Sequence, residues 1–487
     1  MKHPSHNTQR HQLLWLAGLL CLALSGAAQG GLPERVALAL REAGIAETSL
    51  SALVVPVQGG APRLAHFDER PMAPASTMKL VTTLVALDAL GPAFRWRTQL
   101  LTEGASQGSA LRGPLYLRGG GDPNLTWDGL RAMFRSLRAQ GIRRIVGDVV
   151  LDRAYFQPTR PDLGAPPFDE TPDAYYNVIP DALLLNSNLI ELSLDSTGAR
   201  TIISTLPPLE RVRIDVRVAL DDSRCDDWDD SWSASALHLG HGGTANLTLR
   251  GAFPRNCKTS TRLNLIDRNL YIERFIRAFW KELGGSWQGK TRDGQTPQGA
   301  RLLAERHSDT LANSVKLINK TSDNAMARSL YLTLGAQRDK VGGNPSASLG
   351  ADASIRDWFA SRGIASQGLV LENGSGLSRL ERISARQLAA VLRAGAASNW
   401  YAEFASSLPI AAIDGAMRKR LRDSPVAGRA RIKTGTLKDA TAVAGYVRDA
   451  ANQDWIVVAI INDSAAKKGR ATLDELIHWV GGDGDAP

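Results

Sequence analysis

Ala73-Pro74-Ala75-Ser76-Thr77-Met78-Lys79-Leu80-Val81-Thr82-Thr83-Leu84-Val85-Ala86-Leu87 is the stretch on which the reading of this chain turns. Pro74 suits the first turn of a helix, Leu80, Val81, Leu84, Val85 and Leu87 give it an apolar face, and Gly91-Pro92 stops it. Ser76 and Lys79 then stand at i and i+3 on the first turn, so hydroxyl and amine share a face. Helix-start N–H groups favour negative charge there, which suits a developing alkoxide. Serine is a poor nucleophile until a base takes its proton, and a lysine of lowered pKa can be that base. Taken alone, Ser-x-x-Lys equally describes an N-cap serine beside a surface lysine.

Working outward, a short helix is expected over Val36–Ala43, and strands over Ser51–Val57 and Arg63–Phe67 with Gly59-Gly60 turning between them. At the other end, Ala430–Lys433, Val443–Val447 and Trp455–Ile461 read as strands and Leu473–Val480 as a closing helix. Helices are also expected at Tyr271–Leu283, Thr310–Lys320, Ala325–Leu334 and Ala385–Ala394. Between about Phe94 and residue 261 the texture is different. Short β-like runs, among them Leu115–Leu117, Ile145–Leu151, Ile190–Leu194, Val212–Val218 and Leu247–Leu249, are separated by Gly, Pro and Asp turns. The early and late strands are expected to form one antiparallel sheet covered by helices, an α/β (α+β) core split by a β-rich insert. The expected division is a catalytic domain of residues 29–95 and 262–487 with an inserted region of 96–261. Within the insert, one subdomain takes 96–188 with 245–261 and the other 189–244.

Two further motifs lie in that core. Ser322-Asp323-Asn324 falls between two helices, where a hydroxyl can relay a proton to a leaving amine and a side-chain amide can hold a peptide group. Ser, Asp and Asn are also ordinary helix-break residues. Lys433-Thr434-Gly435-Thr436 ends a strand; a fixed cation and two hydroxyls can hold a carboxylate, and Gly435 lets backbone approach closely. An edge strand with a polar tip would look the same. Together, the order Ser-x-x-Lys, Ser-x-Asn, Lys-Thr-Gly, each in its matching context, is far more specific than any member.

The sequence resembles the class C low-molecular-mass penicillin-binding proteins, the penicillin-binding protein 4 type of D-alanyl-D-alanine carboxypeptidase and endopeptidase. The resemblance rests on Ala73–Lys79, Gly119-Gly120-Gly121-Asp122-Pro123, Gly374-Ser375-Gly376-Leu377-Ser378-Arg379, Lys433–Leu437 and the long gap from Ser76 to Ser322. Asn373 stands where the family pattern has an acid. The resemblance implies a penicillin-binding, serine β-lactamase-like core with a five-stranded antiparallel sheet. It further implies that Ser76 attacks a D-alanyl carbonyl, that Lys79 is the base and that Ser322 passes the proton to the leaving amine. Asn324 would hold the peptide, Lys433 would act electrostatically, and Thr434 and Thr436 would grip the terminal carboxylate. The backbone N–H groups of Ser76 and Thr436 would form the oxyanion hole, beside Gly435. No cofactor or metal is implied. The partners implied are peptidoglycan stem peptides, with β-lactam antibiotics as inhibitors.

Composition and ends bound the rest. Hydrophobic content of 43% with 22% charged residues fits a folded chain rather than a disordered one. Lys2 and Arg10, the apolar run Leu13–Leu24 and the small residues Ser25–Ala28 read as a secretory signal over residues 1–28, too short to span a bilayer. Leu20 before Cys21 argues against a lipoprotein site. A periplasmic protein with at most peripheral membrane contact is expected, and a homodimer is left open. Without the signal only Cys225 and Cys257 remain, and an oxidising compartment favours pairing them, two free buried thiols being the alternative. Net charge falls from +9 to +7 once Lys2 and Arg10 leave, and it is scattered, so no nucleic-acid face is indicated. His238 and His241 lack neighbouring acids or cysteines at ligand spacing, and the acidic Asp226–Asp230 stretch reads as a solvated loop. The rivals are a β-lactamase, against which the long insert argues, and a wall-binding scaffold with a decayed site, against which the intact motif set argues.

Overall fold

The computed structural model describes residues 31–482 apart from 167, 199, 229–231, 235–236, 241–242 and 343–345. The expected signal at 1–28, His241 and part of the acidic loop lie outside the described residues.

Both ends of the chain build one sheet. Strands β1 (Leu50–Pro56), β2 (Leu64–His66), β3 (Ala430–Thr436), β4 (Ala440–Arg448) and β5 (Asp454–Asn462) form a five-stranded antiparallel sheet in the order β3-β4-β5-β1-β2. Leu50 faces Ile461, and Thr436 faces Thr441. Successive residues of each strand enter different cores. Leu53, Val55, Ala442, Ala444, Val458 and Ile460 pack under the helices Lys79–Leu90, Asn324–Gly342, Ala347–Ser361 and Ala385–Ala397. Leu50, Val54, Val443, Val457 and Ile461 pack under Glu34–Glu42 and Arg470–Gly481. A sheet covered on both faces needs apolar residues at nearly every central position, which is why β1, β4 and β5 read as near-continuous hydrophobic runs. The helix Lys79–Leu90 is buried from Lys79 through Leu87 and so runs through the core rather than over it.

The chain leaves this core at Trp96 and re-enters at Ser308. There the Trp96 N–H donates to Ser308 Oγ at 3.0 Å and the Ser308 N–H donates to the Trp96 carbonyl at 2.9 Å. The expected return at residue 262 is therefore too early. Arg97–Thr102 pairs with Arg301–His307, and Ser286–Trp287 and Thr291–Asp293 join insert strands. The helix Arg268–Glu282 buries Tyr271, Ile272, Phe275, Ile276 and Phe279 against Leu130, Phe134 and Leu192 of the insert. An amphipathic helix carries no mark in its sequence of which domain will cover it. The expected grouping of 245–261 with 96–188 also changes. Ala245–Pro254 pairs in parallel with Val212–Asp221, and Lys258–Leu263 pairs with Ile190–Asp195, so both strands stand with 189–244. Cys225 and Cys257 are joined in a disulfide there, with Cα atoms 5.3 Å apart. One insert helix was not anticipated: Trp127–Ala139, capped by the Thr126 side chain and burying Leu130, Met133, Phe134 and Leu137.

Candidate active site

Ser76 stands on a single 3₁₀ turn, Ala75–Met78, that leads into the core helix. Three contacts fix this turn. Asn462 of β5 exchanges two hydrogen bonds with the backbone of Ala73, at 2.8 and 3.0 Å. Ala75 takes φ 47°, an uncommon conformation for a residue with a Cβ. Gly376 and Gly435 close on the turn so tightly that a Cβ on the first would sit 1.7 Å from the Ala75 carbonyl oxygen, and one on the second 2.8 Å from the Ser76 nitrogen. The glycines of two motifs are thus there so that backbone can reach backbone.

Lys79 is completely buried, and its Nζ meets three oxygens: Ser76 Oγ at 2.9 Å, Asn324 Oδ1 at 2.6 Å and the Ser375 carbonyl at 2.6 Å. Burial brings its pKa down to about 7, with the negative charges of Asp323 and Glu381 pulling the other way. Lys433, equally buried, donates to Ser322 Oγ at 2.8 Å and to the Thr434 carbonyl at 2.7 Å. Burial, and then the charge of Lys79, push its pKa well below the ordinary lysine value. Ser322 caps its helix in the left-handed conformation at φ 62°, which turns the chain sharply between Thr321 and Asn324.

The structure therefore brings two hydrogen-bonded groups to one cavity, Lys79 with Ser76 and Asn324, and Lys433 with Ser322, close enough for the two ammonium groups to feel each other's charge. Ser76, Ser322, Thr434 and Thr436 line one cavity of about 450 Å³, together with the exposed Arg418, Lys419 and Arg470. Lys320 anchors the loop that carries Arg418 and Lys419, donating to both Asp414 oxygens at 2.8 and 2.7 Å. A second cavity of about 670 Å³ opens between insert and core, lined among others by Phe168, Arg268, Arg328 and Arg379.

Two functional elements escaped the sequence reading. Glu381 is fully buried and accepts backbone N–H groups from Glu372, Asn373, Gly374 and Gly376, at 2.8–3.2 Å. It folds the loop that presents the Ser375 carbonyl to Lys79. Burial raises the pKa of Glu381, against the four N–H groups. Asn373, the departure from the family pattern, accepts from the Ser375 N–H and hydroxyl inside the same loop. The other element is the carbonyl of Tyr176, an insert residue, which accepts from Asn324 Nδ2 at 3.0 Å. A backbone carbonyl has no signature in a sequence; a lone acid five residues beyond a Gly-Ser-Gly run is at best a weak one.

The chain is similar to known proteins along most of its length. The chain is 28% identical over 412 residues to the D-alanyl-D-alanine carboxypeptidase DacB of Haemophilus influenzae, covering 82% of this chain and 84% of that one. It is 27% identical over 439 residues to the D-alanyl-D-alanine carboxypeptidase of Actinomadura sp. (strain R39), covering 87% and 79%. The crystal structure of penicillin-binding protein 4 (DacB) from Haemophilus influenzae superposes with a TM-score of 0.72 at 24% identity, over 88% of this chain and 96% of that one, which shows a common fold. A second crystal structure of that protein, complexed with a β-lactam, gives 0.71 at 23% identity over 91% and 99%. The family model described as D-Ala-D-Ala carboxypeptidase 3 (S13) matches residues 32–480, and this chain belongs to that family.

Proposed function

We propose that this protein is an exported serine D-alanyl-D-alanine carboxypeptidase and DD-endopeptidase that acts on peptidoglycan stem peptides in the periplasm through a Ser76 acyl-enzyme, and that β-lactams acylate the same serine. The observation that carries the reading is the surroundings of Lys79 Nζ. A neutral amine has two N–H bonds and one lone pair. Asn324 Oδ1 and the Ser375 carbonyl can only accept, so they take the two N–H bonds and leave the lone pair facing the Ser76 hydroxyl. With a pKa of about 7, a large share of Lys79 is neutral at neutral pH.

Lys79 takes the Ser76 proton as Oγ bonds to the carbonyl carbon of the penultimate D-alanine. The oxyanion is received by the backbone N–H groups of Ser76 and Thr436. Ser322, whose Oγ is held by Lys433, gives its hydroxyl proton to the departing nitrogen as the C–N bond breaks and takes in its place the proton that Lys79 drew from Ser76, so that Lys79 is neutral again. Thr434 and Thr436 line the cavity that takes the leaving group, and the cations at its rim suit a carboxylate. Water then attacks the ester carbonyl, Lys79 takes one of its protons, and that proton passes to Ser76 Oγ as the ester C–O bond breaks and the shortened peptide leaves as its acid. Removing a terminal D-alanine and cutting a cross-link differ only in what leaves. A β-lactam presents the same acyl unit, and the β-lactam complex of the Haemophilus influenzae protein supports extending that chemistry to Ser76.

The test is covalent labelling with a fluorescent penicillin, comparing the mature protein with Ser76→Ala. A lasting label on the first and none on the second is expected. Rapid drug turnover without lasting label would indicate a β-lactamase, and a folded protein that takes no label would indicate a wall-binding scaffold.

A further inference from the structure

The amide of Asn324 can be turned end for end at almost no cost in shape, and the two orientations are chemically opposite. With Oδ1 toward Lys79 it accepts an N–H bond and leaves the amine lone pair to Ser76. Turned over, it would offer an N–H to that lone pair and occupy the base. The neutral, active form of Lys79 can meet either end, so the contact that holds the orientation in that form is the other described side-chain bond of Asn324, to the Tyr176 carbonyl, which can only accept and therefore takes Nδ2.

Tyr176 is not held there by its own strand or helix, since the segment is a lone turn, Tyr175–Asn177. It is held by Asp169. One oxygen of Asp169 accepts the Thr171 N–H at 2.9 Å, the Thr171 hydroxyl at 3.0 Å and Asn177 Nδ2 at 2.8 Å. The other accepts the Tyr176 hydroxyl at 3.0 Å. Burial alone would raise the pKa of Asp169, yet these donors hold it below the usual carboxylate value, so it stays an acceptor. Next along the chain, Val178 is buried against Ala325, the neighbour of Asn324, and its carbonyl accepts from Arg328 Nη1 at 3.3 Å.

We infer that the 169–177 loop of the insert is a positioning element of the catalytic centre: Asp169 holds the Tyr176 carbonyl against Asn324 and so fixes which end of that amide meets Lys79. The inference rests on the function proposed above. Asp169 is a positioning residue, acting through Tyr176 and Asn324. The charged groups facing Lys79 are Lys433 from β3, Asp323 from the turn between the helices and Glu381 beneath the Ser375 loop, with Arg328 and Glu372 behind it. None of them is altered by a change at Asp169.

The experiment is the rate of acylation by saturating fluorescent penicillin, followed against pH, for the wild type, Asp169→Ala, Asp169→Asn and Tyr176→Phe. In Asp169→Ala the plateau rate is expected to fall about tenfold, the scale of one oriented hydrogen bond, while the concentration giving half-saturation stays put. The acid limb is expected to move to lower pH, because an amide N–H facing Lys79 disfavours its ammonium form. Asp169→Asn keeps the oxygen that serves Thr171 and Asn177 and should restore most of the rate. Three results would overturn the inference: an unmoved limb with the rate reduced only in proportion to folded protein, a limb moved to higher pH as simple water entry would give, or an Asp169→Asn protein as slow as Asp169→Ala. Should Asp169→Ala fail to fold by circular dichroism, Tyr176→Phe decides by the same limb shift at a smaller loss of rate. A wild type that takes no label would instead sink the proposed function, and the inference with it.

Discussion

In β4 of the core every residue from Ala440 to Val447 is buried, whereas in the insert Val212–Asp221 alternates half-buried with exposed along its length. Lys258–Leu263 alternates in the same way, and Ile190–Asp195 alternates buried with half-buried. The core sheet is a middle layer with helices on both faces; the insert sheets built on Val212–Asp221 and Lys258–Leu263 have one face in solvent. Each region is then secured by different means. The core relies on apolar packing on two sides, and it buries its two lysines, Lys79 and Lys433, beside Ser76. The insert adds a disulfide, and a buried ionic knot in which Asp181 accepts from Arg153 at 3.0 Å and from Arg268 at 2.8 Å. A middle layer leaves a catalytic turn little room to shift, and a one-sided sheet gives the insert a surface to present.

That contrast can be broken or sharpened by experiment. The largest effect is expected from Lys79→Met, which removes the base: penicillin acylation should fall about 10²–10⁴-fold, read by stopped-flow labelling, while the insert is untouched. In the wild type the same assay should show the rate rising as pH rises through about 7, since Lys79 must lose its proton to act. Next comes Asp181→Ala in the insert, which takes the shared buried carboxylate from Arg153 and Arg268, leaving them Asp293 and Asp162, and should cost about 3 kcal/mol in urea unfolding. Replacing Cys225 and Cys257 together by Ser should cost about 2–4 kcal/mol, with acylation below the melting temperature unchanged. The smallest effect is expected at the exposed Arg217–Asp215 pair, where Arg217→Ala should change stability by less than about 0.5 kcal/mol. If the disulfide variant lost acylation while still folded, the separation of the two regions drawn above would be wrong.

The same contrast explains what could be read from the sequence. β4 and β5 announce themselves because burial on both faces leaves nearly uninterrupted apolar runs, β3 because its Lys-Thr-Gly motif marks its end, and the helix from Lys79 because Pro74 and Gly91 punctuate it. Ser76, Lys79, Ser322, Asn324 and Lys433 were legible because their spacing is tied to the elements that carry them. The return of the chain to the core was not legible. Arg301–His307 finds its partner in Arg97–Thr102, and a strand does not encode which distant strand completes its ladder. The helix Ala347–Ser361 was missed because it is small-residue rich and packs closely on its neighbour: a Cβ at Gly335 would lie 1.8 Å from the Ala347 carbonyl oxygen. Glu381 and Tyr176 were missed because they act through backbone groups, their own or those they hold.

The Ser49 hydroxyl donates to Asp463, 414 positions further along, and β1 lies between β5 and β2 in the sheet. A chain growing from its N-terminus therefore makes β1, β2 and the helix bearing Ser76 first, yet cannot close them into a sheet until β5 exists. Everything from Arg97 to His307 can find its partners in the meantime. Such long-range pairing carries a large loop-closure cost, and in a chain that emerges from its N-terminus the core sheet can be completed only after the whole insert is available. The serine that is written early in the chain is the last part of it to become competent.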